Sequence, residues 1–404
     1  MARFLFVAPA SESWGEFLSG RRIAIELAAR GHQITFLIPK SLTPQLAGVP
    51  CRIGQLDGAM GKLDHAILSA VQQTHSDALV LVDACLVFMH LFKLAACEGF
   101  LRRIDVPLFA LDVWDMRRTD LRWDFGDIDF VHAKENLIPE RRLLPVPFIN
   151  FKTGAPGLYC ALPSERPVGN RRAGRERFGV GDQPVLLFAS ASWQRPAFQW
   201  VGNARRLARG LPAWLAELLR RLRSDTVVCH VGPDRYPEWE AALGDRYRHL
   251  PQIHPDAFAD AMAAADVFLS CNFAATSINT ALLSDVPVLL ATNSLAVTSE
   301  AELPVELQSD AALSSWISAV APLHRFRVFP YGMHRFLQPS FDHNPYSQAI
   351  TCAELLHAPA VLQAAEDLLR PGPARDAALG RQRDYLQQVQ RLPRAATLIE
   401  DQLS

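Results

Sequence analysis

The chain has 404 residues, of which 49% are hydrophobic and 21% charged; these are globular proportions and exclude a disordered chain. Lys plus Arg total 41 against 42 for Asp plus Glu, which argues against a dedicated nucleic-acid binder with its basic stripe or excess. The length is too great for one ordinary core, and two α/β domains are the natural division.

The 7 cysteines form no CxxC pair, and several sit inside apolar runs as small core residues, which points to a reducing compartment. The opening MARFLFVAPAS is too short in its apolar run for a signal-peptide core. No uninterrupted apolar stretch reaches about 18 residues, so no transmembrane helix and no integral membrane contact are expected. The expectation is a soluble cytoplasmic protein.

In chain order, Phe4–Ala8 reads as an apolar strand, followed by a loop through Trp14-Gly15-Glu16. Phe17–Arg30 carries Leu18, Ile23, Ile25, Leu27 and Ala28 on a helical face and is ended by Gly31; His32–Ile38 is the next strand. Such a strand–helix–strand unit closes right-handed with parallel strands. The alternation continues with a helix at Asp64–Thr74, a strand at Ala78–Val82, a helix at Leu86–Glu98, a strand at Pro107–Leu111 and one more at Asp129–Val131. Ligands of parallel sheets bind at the carboxyl ends of the strands, and Glu16, Asp83 and Asp112 fall there. No GxGxxG follows the first strand, so a nicotinamide or flavin dinucleotide is not expected in this half.

Leu144–Pro184 is rich in Pro, Gly and Arg and reads as a connection with a short helix near Arg172–Phe178. A second α/β series starts with the strand Val185–Ala189 and the loop Ser190–Arg195. A helix over Val201–Leu222 is expected to break at Gly210-Leu211-Pro212, and Thr226–Val231 is a strand ending in Gly232. His249–His254 is extended, and Ala257–Ala264 is a small helix. Asp266–Leu290 then reads strand, loop, helix, strand, with Thr276 and Ser277 opening the helix. Free amides, the positive dipole end and two hydroxyls meet at that helix start, as an anionic group requires; an ordinary capped helix is the plainer reading. Beyond it, helices are expected at Ala311–Val320, Gln348–Leu356, Ala360–Leu369 and Ala374–Gln390.

Three motifs resemble the GT-B glycosyltransferases that use nucleotide-diphosphate sugars on small acceptors. Gly15-Glu16 and Arg30-Gly31-His32 stand at that family's spacing, with Glu16 at its histidine base. Pro251-Gln252 is similar to the PQ that borders the nucleobase. Asn272, Ser277 and Thr280 fall at the family's His, phosphate-binding Ser and acidic ribose ligand, counting back from Val286-Pro287. The chain departs from the family where Thr280 replaces that acid, where Asp285 replaces a glycine, and where Ala296-Val297 fall near the usual Asp-Gln pair.

The resemblance implies two Rossmann-like doubly wound domains facing a cleft. Residues 1–160 would bind the acceptor, 161–184 would link, 185–370 would bind the donor, and helices in 371–404 would pack back on the first domain. It implies an inverting transfer with Glu16 as general base and Asp83 orienting it or acting as base in its place; N-terminal capping is the plainer role for Glu16. Thr276, Ser277 and the backbone of Ala275, with Ser190, Ser192 and Arg195, would hold the diphosphate. Gln252, Ile253, Gly232, Asn272 and Thr280 would line the nucleobase and ribose, and Trp14, Gly15 and Asp112 the acceptor. His254, just after the nucleobase strand, reads as a solvated loop residue. The nucleotide sugar is a co-substrate, and no other cofactor is implied. No HxH, HxxxH or DxD constellation stands out, so no metal is assigned. A homodimer is compatible with the sequence. The rival readings are a sugar-nucleotide epimerase of the same architecture and an inactive relative that binds a nucleotide or partner.

Overall fold

The computed structural model describes residues 1–10, 14–56, 62–84, 87, 91, 99–113, 115, 117–118, 123–124, 129–130, 139–146, 148–161, 167–190, 202–273, 275–292, 305–308, 311 and 343–404. Contacts divide the chain into two units. The first is Met1–Leu121 with Val131–Ser164 and Gln388–Ser404; the second is Arg122–Phe130 with Glu165–Gln387.

The first unit is built on β1 (Arg3–Val7), β2 (Gln33–Ile38), β3 (Arg52–Gln55), β4 (Ala78–Leu81), β5 (Leu108–Leu111), β6 (Arg141–Val146) and β7 (Leu158–Ala161). All pair in parallel in the order β3-β2-β1-β4-β5-β6-β7. Helices α1 (Trp14–Ala29) and α2 (Leu63–Thr74) connect strands of this sheet. Leu5, Phe6 and Val7 are all fully buried, as befits a parallel sheet covered on both faces. Phe6, Phe17, Ile23, Phe36 and Phe109 share one core with Ala395, Ala396 and Ile399 from α11 (Ala395–Asp401), so the last helix of the chain belongs to this unit.

The second unit repeats the plan. Its strands are β8 (Val185–Ala189), β9 (Val227–Val231), β10 (Tyr247–Leu250), β11 (Val267–Ser270), β12 (Val288–Thr292) and β13 (Thr351–Glu354). They run parallel in the order β10-β9-β8-β11-β12-β13. Its helices include α3 (Arg171–Phe178), α4 (Gly202–Arg220), α5 (Pro237–Leu243), α6 (Pro255–Ala264), α7 (Thr276–Leu283), α8 (Pro345–Ala349), α9 (Ala358–Leu369) and α10 (Pro373–Val389). Phe188, Trp214, Leu215, Trp239, Leu269 and Leu289 centre its core.

Several elements differ from the sequence expectation. Asp129–Phe130 pairs antiparallel with Trp123–Asp124 in a short ribbon outside the large sheet. The proline-rich segment at 144 begins inside β6, and β6 and β7 extend the first sheet; pairing in the sheet outweighs the missing amide of Pro145. Helix α4 runs unbroken through Pro212, because Trp214, Leu215, Leu218 and Leu219 bury that face on the core. Thr351–Glu354, expected within a helix, is an edge strand against β12. The expected helix at Ala311–Val320 lies outside the described residues apart from Ala311, and that at Leu86–Glu98 apart from Val87 and Leu91.

Candidate functional site

Each sheet reverses its strand order once, between β1 and β4 and between β8 and β11. In open α/β sheets ligands bind outside the carboxyl ends of the strands at such a reversal.

In the second unit the reversal is flanked by Ser190, after β8, and Cys271, after β11. Ser270 Oγ donates to the Asn272 carbonyl and accepts from the Asn272 amide, each at 3.0 Å, which turns the chain toward α7. The N-cap of α7 is Ala275, extended at φ −72° and ψ 124°, with no side-chain cap. Neither the Thr276 nor the Ser277 hydroxyl has a partner among the described residues, and both residues are half-buried. Among the described residues the Thr276 and Ser277 amides and two hydroxyls therefore stand open at one place, while the Ile278 amide donates to the Ala275 carbonyl at 3.0 Å; the open donors suit an anion. Thr280 is buried one turn on, and its hydroxyl donates to the Thr276 carbonyl at 3.4 Å. Asp285 holds a left-handed φ of 55° and accepts from Arg383 Nε at 3.1 Å.

Ser190 is not isolated. Its Oγ lies 2.7 Å from Nε2 of His230, whose Nδ1 lies 2.8 Å from the Tyr247 hydroxyl. The Tyr236 ring stacks on the imidazole at 4.6 Å between centroids. His230 is fully buried. Burial, then the neighbouring His249, push its pKa down to about 3, so the ring is neutral. Gly232, singled out for the nucleobase, has a packing reason: a Cβ there would lie 2.0 Å from Ser190 Oγ and 2.7 Å from His230 Nε2. Its carbonyl accepts from His249 Nε2 at 3.0 Å. The sequence reading missed His230, Tyr236 and Tyr247. The available signal was a histidine inside the apolar strand Val227–Val231, which has to find polar partners once buried.

Gln252 is exposed and Ile253 half-buried on the loop from β10 to α6. His254, read as a solvated loop residue, is the N-cap of α6, and its Nδ1 accepts from the Asp256 amide at 3.4 Å. Ser192 and Arg195, assigned to the diphosphate, and Trp193 beside them lie outside the described residues.

In the first unit, α1 begins at Trp14, so Gly15 and Glu16 belong to its first turn, and all three residues are half-buried. Gly20, one turn after Glu16, packs against Val82: a Cβ on it would meet Val82 Cγ2 at 2.7 Å. Glu16 lies one turn before that contact in α1, and Asp83, 3% exposed, follows Val82 after β4. Desolvation raises the Glu16 carboxyl above the ordinary glutamate range, against a smaller opposing effect of its own backbone amide. Asp112, after β5, is buried and bound by Arg142 Nη1 at 2.9 Å; the same nitrogen reaches Asp115 Oδ1 at 3.2 Å. Asp115 also holds Arg118. Asp112 is therefore committed to an interior ionic network.

Among the described residues no three His, Cys, Asp or Glu side chains group as metal ligands, and no helix is long and apolar enough to cross a membrane.

Two parallel, doubly wound sheets with these reversals define the GT-B fold, and solved GT-B glycosyltransferases match the chain end to end. Spinosyn rhamnosyltransferase SpnG matches at TM-score 0.55 and 12% identity, covering 100% of both chains. VinC, solved with dTDP, matches at 0.53 and 14%, covering 99% of this chain and 98% of its own. MurG of Acinetobacter baumannii matches at 0.53 and 13%, covering 100% and 99%. At such identities the likeness is one of fold. Residues 23–403 match the sequence profile of DUF6365, a family of unknown function, and the chain belongs to that family. No match was found among curated proteins.

Proposed function

We propose that this chain is a glycosyltransferase that moves a sugar from a nucleotide-diphosphate donor to a small-molecule acceptor. The observation that carries the reading is the start of α7, which has no side-chain cap and where the Thr276 and Ser277 hydroxyls, without partners among the described residues, meet at a strand-order reversal. A departing diphosphate gains negative charge as the glycosidic bond breaks, and fixed donors there lower the barrier without reorganising. Ser190 lies at the edge of the same reversal. In the first unit Glu16 is the proposed general base. It takes the acceptor hydroxyl proton as the oxygen attacks the anomeric carbon from the face opposite the diphosphate, an inverting displacement. Asp83 is the proposed orienting residue. That VinC was solved with dTDP supports a nucleotide as a ligand of this fold.

A second reading is supported by Thr280. The family's acidic ribose ligand is replaced there by a buried residue whose hydroxyl is engaged by its own helix. That reading is a relative that binds a nucleotide without turnover. Thermal-shift measurement against a panel of nucleoside diphosphates and their sugar conjugates, followed by donor hydrolysis and transfer assays, separates the two. Stabilisation with turnover supports the transferase, and stabilisation without turnover on any acceptor supports the binding-only relative. No shift with any nucleoside diphosphate overturns both.

A further inference from the structure

The Tyr247 phenol is buried, and its contacts among the described residues are two: the Tyr236 amide, which donates to it at 3.3 Å, and His230 Nδ1 at 2.8 Å. A buried donor is placed on an available acceptor, and the only acceptor of the two is Nδ1. The phenol therefore donates to Nδ1, and the imidazole proton sits on Nε2. From there it is donated to Ser190 Oγ at 2.7 Å. Ser190 and Tyr236 flank the imidazole, one at Nε2 and the other stacked on its face, and each carries a hydroxyl proton. His230 can accept neither. One hydroxyl proton of the Ser190–Tyr236 pair is left to point out of the cluster.

The position of that proton is specific. Ser190 follows β8 at the strand-order reversal, and Tyr236 stacks on the imidazole that Ser190 contacts, so the pair sits at that reversal. Gly232 provides an independent sign that the arrangement is built, because any side chain there would displace Ser190 Oγ and His230 Nε2 together. Neutrality matters as well: a charged imidazole would donate at both nitrogens and turn the Tyr247 proton away from the chain. Burial keeps the ring neutral through the physiological range.

We propose that Tyr247, His230, Ser190 and Tyr236 form an uncharged relay that holds one outward hydroxyl donor against a diphosphate oxygen of a bound nucleotide, with His230 as the positioning residue. The ligand class rests on the transferase reading above; the relay itself rests on the hydrogen-bond pattern. Because the relay offers a donor at its outer end, it favours an oxyanion over a group that must itself donate.

The test uses the full chain. Nitrogen-15 NMR of labelled histidine should show His230 protonated at Nε2 and not titrating between about pH 5 and 8. Calorimetry with UDP, dTDP, GDP, ADP and CDP, and with the matching nucleosides, gives the affinities of wild type, His230→Leu and His230→Gln. His230→Leu should weaken the tightest nucleoside diphosphate about tenfold, the equivalent of one lost hydrogen bond to a charged group, and leave the nucleoside within about twofold. His230→Gln keeps a donor toward Ser190 and should recover most of the loss. If His230→Leu does not fold, Tyr247→Phe, which removes the relay's first proton and keeps the ring, should give the same selective loss. A proton on Nδ1, undiminished diphosphate binding by the variants, or an equal loss for nucleoside and diphosphate overturns the relay. A wild type that binds none of the diphosphates overturns the transferase reading and the ligand class together, and the NMR result then decides the relay alone.

Discussion

Nε2 of His32 and Oε1 of Glu400 lie 2.7 Å apart, joining the residue before β2 to the last helix. The Ala2 amide donates to His32 Nδ1 at 3.0 Å, so the ring proton is on Nε2 and is donated to the carboxylate. Arg30 adds an ion pair to Glu400, and its Nη2 donates to Thr397 Oγ1 at 3.0 Å. The Arg30-Gly31-His32 motif, a family mark in the sequence, thus ties α11 to the first unit.

Glu400→Gln should lower stability at neutral pH by a few tenths to about 1 kcal/mol, as for a partly exposed pair. The His32 hydrogen bond, then Arg30, hold the Glu400 carboxyl below the usual range. A depressed carboxylate contributes stability that is present above its unfolded pKa and lost as pH falls through the folded value. Urea unfolding should therefore show a gap between wild type and variant at pH 7 that closes below about pH 4. A gap independent of pH would remove the ionised pair as its cause.

Arg142 is a different case because its side chain is 2% exposed and lies between Asp112 and Asp115, at 0% and 2%. Replacing it with Met leaves two buried carboxylates without their shared cation, which costs about 3–5 kcal/mol. Asp112→Asn combined with Arg142→Met should recover part of that loss, since one uncompensated charge is removed. Chemical denaturation of the single and double variants measures this, and additive losses would show that the groups do not couple.

The alternation of strands and helices was legible because buried parallel strands such as Phe4–Ala8 and Val185–Ala189 are continuous apolar runs. Elements whose stability comes from neighbours were hidden. The strand Arg141–Val146 carries two arginines and a proline and is strand by virtue of its place between β5 and β7. Thr351–Glu354 takes its form from pairing with β12. At the proposed site, Glu16 and Ser277 were singled out by their spacing along the chain. His230, Tyr236 and Tyr247 come from separate segments that meet only in three dimensions, and no spacing rule joins them. Asp112 looked like an open strand-end acid because its partner, Arg142, stands 30 residues away.

Glu16 carries two linked expectations. A base must be deprotonated to act, so kcat/KM should fall on the acid side through a pKa above the ordinary glutamate value, the direction set by desolvation. Glu16→Gln should remove that limb together with most of the turnover, about a hundredfold or more, and leave donor affinity intact. A raised carboxyl also works against folding at neutral pH, since the folded state binds its proton more tightly and loses stability as pH rises. The same variant should therefore melt at an equal or higher temperature than wild type. Unchanged turnover would leave Glu16 as a helix-start residue only.

Ala275 offers the sharpest distinction between an anion site and a plain helix start. It has the extended geometry of an N-cap and no side-chain acceptor. Ala275→Asp would supply one, and a new cap stabilises a helix by about 1 kcal/mol. Its charge would also occupy the place proposed for the diphosphate. If α7 holds the anion, Ala275→Asp should raise the melting temperature while weakening nucleoside diphosphate binding about tenfold or more, and Ala275→Ser should raise it with a smaller loss of affinity. If α7 is only a structural helix, both variants should be stabilised and bind as wild type does. Calorimetry and thermal melting on the same samples decide between these outcomes, because the effect on folding and the effect on binding then have opposite signs.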